Sequence, residues 1–109
     1  MTNLVTQLPP AELKIMLDAK QPLCLLDVRE GWERDIAAIP GSVHIPLAEV
    51  QARYRELDPA AQVVVMCKVG GRSQMAAQFL ASQGFSRVAN LSGGINGWSR
   101  DVDQSVPIY

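Results

Sequence analysis

Two kinds of apolar pattern alternate along the chain. Leu23-Cys24-Leu25-Leu26-Asp27-Val28 and Val63-Val64-Val65-Met66 are short apolar runs with no clean polar alternation. Such runs predict strands covered on both faces. Between and around them the spacing is helical. Leu13, Met16 and Leu17 stand at i, i+3 and i+4 behind Pro9-Pro10-Ala11-Glu12, a sequence suited to a first helical turn, and this helix is expected to end near Lys20, before Gln21-Pro22. Glu30 to Ile36 predicts a short helix carrying Trp32 and Ile36. Leu47, Val50, Tyr54 and Leu57 form one stripe and predict a helix over 47–57, closed by Asp58-Pro59. Ser73 to Gln83 predicts another, with Met75, Ala76, Phe79 and Leu80 facing inward and Gly84 as its C-terminal stop.

The remaining segments are shorter. Met1 to Leu8 reads as an edge strand anchored by Leu4, Val5 and Leu8. Val43 to Leu47 reads as an extended piece that Pro46 confines to an edge or a strand end. Arg87 to Asn90 predicts a strand, Leu91-Ser92-Gly93-Gly94 a turn, and Ile95 to Trp98 a helical turn. Asp101 to Tyr109 is a tail packed by Val106, Pro107 and Tyr109. Strands alternating with helices imply an α/β fold, with a small, mainly parallel sheet flanked by helices on both faces. No repeat, linker or charge block divides residues 1–109, so one domain is expected.

Composition narrows the function classes. Lys+Arg number 10 against Asp+Glu 11, for a formal net charge of -1, which gives no reason to expect nucleic acid or an anionic membrane as partner. No apolar stretch is long enough to span a bilayer, and the N-terminus lacks a basic start followed by an apolar run. The two cysteines, Cys24 and Cys67, form neither a disulfide scaffold nor a zinc spacing, which suits a reduced, cytoplasmic setting.

The chemistry concentrates at Cys67. It follows the Val63–Met66 run and opens a loop, Cys67-Lys68-Val69-Gly70-Gly71-Arg72, that turns into the helix at Ser73. In an open α/β sheet, ligands bind beyond the carboxyl ends of the strands. Gly70 and Gly71 free the loop so that backbone amides can converge, and with a helix N-terminus they make an anion site. That field favours thiolate over thiol. Lys68 and Arg72 add positive potential, and Ser73 can cap the helix or donate to the sulfur. A thiolate in this cradle suits attack on a phosphate ester or on a sulfane sulfur. Cysteine phosphatases have one more residue between Cys and Arg, and the tighter Cys-x4-Arg ring here is sized for the terminal sulfur of a persulfide.

The Cys67–Ser73 segment resembles the active loop of single-domain rhodaneses. Three further segments agree in family order. Leu26-Asp27-Val28-Arg29-Glu30 resembles an early Asp-Val-Arg strand end. Ile39-Pro40-Gly41-Ser42-Val43-His44-Ile45-Pro46-Leu47 resembles an Ile-Pro-Gly…Ile-Pro segment. Leu91-Ser92-Gly93-Gly94-Ile95-Asn96-Gly97-Trp98 resembles a closing Gly-Gly…Trp segment. The resemblance implies a rhodanese-like fold with a central five-stranded, mostly parallel sheet, and sulfurtransferase chemistry without a cofactor. Cys67 would take the sulfur, and the amides of residues 68 to 72 would hold the persulfide and the incoming anion. Arg72 would brace the loop or orient the donor, with Asp27 and Arg29 as supports behind it. The implied partners are a small-molecule donor such as thiosulfate, an acceptor such as cyanide or a thiol, and a protein persulfide on either side. A persulfide carrier or adaptor, and an arsenate reductase or phosphatase-like enzyme, are the competing readings. Ala37-Ala38 stands where the family often has Gly-His, a departure that bears on packing near the loop. The ending from Trp98 to Tyr109 is similar to the rhodanese domain fused to adenylating enzymes of molybdopterin and thiamine synthesis.

Other residues read as structural. His44, the only histidine, lies on a short strand beside Pro46, and a thiolate made by the local field needs no general base. Cys24 sits among leucines and reads as core. Trp32 and Trp98 read as packing groups, Trp98 being the better candidate for a pocket wall. No ligand cluster accompanies Asp27, so no metal is expected.

Overall fold

The computed structural model describes residues 5–109. Five strands form one sheet: β1 (Thr6–Leu8), β2 (Cys24–Asp27), β3 (Val43–His44), β4 (Val63–Met66) and β5 (Val88–Leu91). Their order is β1-β5-β4-β2-β3, and every pairing is parallel. The two long apolar runs are thus the interior strands β2 and β4. The expected edge strand is present from Thr6 to Leu8, Val5 precedes it, and Leu4 lies outside the described residues. The Pro46 segment supplies the opposite edge, as a proline that cannot donate to a ladder requires.

Side chains on β4 alternate between two cores. Val63, Val65 and Cys67 join Leu26, Val28, Val50, Ala76, Ala77, Leu80 and Val88 on one face. Val64 and Met66 join Leu8, Leu13, Leu25, Leu91, Ile95 and Trp98 on the other. The first face is covered by α3 (Val50–Arg53) and α4 (Gly71–Ser82). The second is covered by α1 (Pro10–Asp18), α5 (Gly94–Asp101) and Val106 of the tail. A further helix, α2 (Gly31–Ile36), follows β2 and opens with a reciprocal cap between Glu30 and Glu33.

Three expectations are corrected. The 47–57 helix is broken into a 3-10 turn (Leu47–Glu49), the four residues of α3 and a second 3-10 turn (Tyr54–Glu56). Only Val50 of its stripe is fully buried, which is too little packing to sustain a continuous helix. The inner face of α4 is Ser73, Ala76, Ala77 and Leu80, whereas Met75 is 62% exposed and Phe79 half-buried. Small side chains let α4 lie close to the sheet, so the buried stripe starts on a polar residue. Finally, α5 runs to Asp101, well past Trp98.

Candidate active site

Parallel register aligns the carboxyl ends of the strands. Asp27 pairs with Met66 and with His44, so the residues that follow, Val28, Cys67 and Ile45, leave the sheet at one edge. Cys67 is 1% exposed there. The loop behind it is shorter than the sequence suggests: α4 begins at Gly71, and Arg72 belongs to its first turn. Gly70 makes this possible with φ 110°, a left-handed backbone that side-chain-bearing residues avoid.

The loop is held from below by α5. Ile95 and Asn96 donate their amides to the carbonyls of Cys67 (2.9 Å) and Lys68 (3.1 Å). A Cβ on Gly94, at φ 62°, would stand 2.4 Å from the Lys68 carbonyl and 2.6 Å from the Cys67 carbonyl oxygen. The Gly93-Gly94 turn is therefore the point of closest approach between α5 and the cysteine loop.

The sulfur itself receives the Gly70 amide at 3.1 Å and lies 3.2 Å from Ser73 Oγ. Burial pushes the Cys67 thiol up. Hydrogen bonds open to the thiolate from the Ser73 hydroxyl and from the amides of Ser73, Gly70 and Val69 outweigh it, so the thiol lies below its ordinary value. The positive end of the twelve-residue α4 acts in the same direction.

The charges predicted around the loop are largely spent on one another. Arg72 makes a two-pronged pair with Glu33 (2.6 and 2.7 Å), which braces the loop against α2 and takes both terminal nitrogens. Glu33 is held down to about 2, first by the Arg72 hydrogen bonds, against burial, with help from the Glu30 amide and the Tyr109 hydroxyl. Tyr109 donates to Glu33 (2.7 Å) and accepts from Arg29 (3.0 Å). Lys68 stands over the Tyr109 ring, its ammonium 5.0 Å from the centroid. Arg29, fully buried, pairs with Asp27 through Nε and Nη2 and donates to the carbonyls of Glu33 and Ala37. Asp27 also accepts from Arg34 (2.9 Å). Asp27 and Arg29 thus tie the end of β2 to α2, and α2 in turn presents Glu33 to the loop.

Glu33, Asn90 and Tyr109 of this network were not read as site residues in the sequence, Tyr109 being named only for packing the tail. Asn90 accepts from Ser73 Oγ at 2.5 Å and donates to Gly70 O at 3.2 Å. The capping spacing of Glu30 and Glu33, and a lone asparagine within Val88-Ala89-Asn90-Leu91, were the signals for two of them. Trp98 packs in the core with Leu13 and Ile95, and the open cleft beside the loop is lined by Gln7, Val69, Gly70, Gln74, Asn90 and Ser92. Trp32 is exposed and stands edge-on to Tyr109. His44 Nε2 lies 2.7 Å from the Arg29 carbonyl oxygen.

Cys24 pairs with Val63, four residues before Cys67 on the neighbouring strand. At ~3.3 Å per residue the two cysteines are about 13 Å apart, beyond disulfide reach. Burial pushes the Cys24 thiol up. Among the described residues no group of three or more His, Cys, Asp or Glu side chains is disposed to hold a metal ion, and no helix is long and apolar enough to cross a membrane.

Comparison with known proteins agrees with this geometry. The family profile of the rhodanese-like domain matches residues 9–101. YrkF of Bacillus subtilis (strain 168), a candidate sulfur carrier protein, is 43% identical over 86 residues, covering 79% of this chain and 46% of its own length. The adenylyltransferase and sulfurtransferase MOCS3-1 of Zea mays is 36% identical over 105 residues, covering 90% of this chain and 22% of its own length. The chain therefore spans less than half the length of these two curated relatives. The crystal structure of a rhodanese-related protein from Thermoplasma volcanium superposes with a TM-score of 0.83 at 28% identity, covering 95% of this chain and 99% of that one. A five-stranded parallel sheet, a cysteine at its carboxyl edge and a profile match over nearly the whole length lead to one assignment: the chain belongs to the rhodanese-like domain family.

Proposed function

We propose that the protein is a sulfurtransferase that carries a sulfane sulfur on Cys67. The observation behind this reading is the sulfur's setting, with the Gly70 amide on Sγ at 3.1 Å at the start of α4 and a thiol lowered by donors that outweigh burial. The Cys67 thiolate attacks the outer sulfur of thiosulfate. The S–S bond of thiosulfate breaks, sulfite leaves with the bonding pair, and Cys67 keeps the sulfur as a persulfide. Cyanide or a thiolate then attacks that terminal sulfur, and the Cys67 thiolate departs unchanged. The amides of the loop stabilise the negative sulfur at each stage, so no separate base is required. A protein persulfide can replace thiosulfate as donor by the same bond exchange.

The Cys-x4-Arg spacing from Cys67 to Arg72 supports this reading over an arsenate- or phosphate-handling one, since a phosphoryl group needs a wider ring of amides around the attacking sulfur. A persulfide carrier that docks a sulfur-trafficking protein is a second reading. It draws on the exposed apolar side chains Val69 and Met75 beside the loop and on the likeness to YrkF. Thiocyanate production from thiosulfate and cyanide tests the proposal. Sustained turnover is expected from the wild type, with none from Cys67→Ser while the far-ultraviolet circular dichroism of the two is the same. Equal turnover from Cys67→Ser would overturn it, and a single equivalent per chain would favour the carrier.

A further inference from the structure

A buried polar chain behind the sulfur has a direction that chemistry fixes. Asn90 on β5 is 4% exposed. Its Nδ2 donates to the Gly70 carbonyl (3.2 Å) and to Gln7 Oε1 (3.0 Å). A backbone carbonyl only accepts, so the amide nitrogen must face Gly70 and Oδ1 must face Ser73. Oδ1 also only accepts, and it lies 2.5 Å from Ser73 Oγ. The one proton of the Ser73 hydroxyl is therefore directed at Asn90. Cys67 Sγ lies 3.2 Å from the same oxygen, on the side left to its lone pairs.

The neutral thiol suits this arrangement, because S–H can donate to Ser73 Oγ. The ionised sulfur does not. It gains the hydroxyl proton only if the hydroxyl rotates, and rotation takes the donor from Asn90 Oδ1, on a residue that is itself buried. The Gly70 amide serves the sulfur in either state.

We propose that Asn90 is a positioning residue that controls the Ser73 hydroxyl, holding this donor away from the resting thiol and yielding it to the sulfur when negative charge is present. The inference rests on the reading of Cys67 as the reacting group. The neighbouring charges do not explain it away. Arg72 of α4 bears on Cys67 but is closed by Glu33 of α2, with Tyr109 behind. Lys68 lies over Tyr109, Asp27 of β2 is closed by Arg29 and Arg34, and Arg100 of α5 lies by Gly93 and Gly97. An uncharged replacement of Asn90 alters none of these.

The test is the thiolate ultraviolet absorbance of the full chain titrated against pH, with the matching Cys67→Ser variant subtracted to remove Cys24 and the tyrosines. It reads ionisation without sulfur transfer, so its failure is separate from failure of the transferase reading. Asn90→Leu should lower the Cys67 midpoint by about one pH unit, because the freed hydroxyl then donates to the thiolate. Ser73→Ala alone should move it by less than about half a unit, since what the hydroxyl gives the thiolate is offset by what Asn90 Oδ1 loses. In the Ser73→Ala background, Asn90→Leu should give no further fall. An unchanged or raised midpoint in folded Asn90→Leu overturns the proposal. So does an equal fall without Ser73, or a rise of about one unit in Ser73→Ala. Thermal melting monitors the fold, and if Asn90→Leu does not fold, Asn90→Ala and Ser73→Ala decide by the same criteria.

Discussion

Arg72 reaches away from the sulfur and into Glu33, and that pair explains how a short loop keeps its shape. The Glu33 side chain is 3% exposed, so its negative charge is supported by Arg72, the Glu30 amide and the Tyr109 hydroxyl rather than by water. Its carboxyl falls from 4.5 to about 2 in the folded chain. A lowered carboxyl stabilises the fold fully above the unfolded value and loses that contribution as pH falls toward the folded value. The window is thus from 4.5 down to about 2, and the upper bound on the contribution is about 3 kcal/mol. Glu33→Gln should melt lower than wild type at neutral pH and show a flatter decline across that window. Parallel melting curves for the two would contradict the assignment. Cys67 and its loop were legible in the sequence because they are contiguous. Glu33, Asn90 and Tyr109 were not, because α2, β5 and the tail meet the loop only through the topology.

At the level of elements, the sequence was most readable where burial is two-sided. The β2 and β4 runs are interior strands because no polar face interrupts them. It was least readable where a periodic stripe is only half-buried. The 47–57 segment has helical spacing, yet Leu47, Tyr54 and Leu57 are partly exposed and the helix breaks into turns. In α4 the close approach to the sheet selects Ser73 and two alanines for the inner face, which hydrophobicity alone does not rank above Met75. The Gly93-Gly94 turn carries a second contact between elements on which the cradle depends. Gly94→Ala would place a Cβ against the Lys68 carbonyl and force a left-handed alanine. A loss of about 2–5 kcal/mol is expected in urea denaturation. Gly31→Ala meets nothing within 4 Å and should behave nearly as wild type. Equal stability of the two variants would show that α5 does not press on the loop.

For the whole molecule, the decisive fact is that an all-parallel sheet has one carboxyl edge. It gathers the ends of β2 and β4 and the starts of α2 and α4 around Cys67, and it leaves Cys24 at the opposite end of the strands. On the proposed function, sulfur chemistry therefore falls to Cys67 alone. Intact mass of the reduced protein before and after thiosulfate tests this most directly. Wild type and Cys24→Ser should each gain one sulfur atom, lose it on adding cyanide, and take it up faster as pH rises toward a midpoint below 9.0, the ordinary thiol value. Cys67→Ser should gain none. A sulfur gained by Cys67→Ser and lost to cyanide, or a gain abolished by Cys24→Ser alone, would contradict the account.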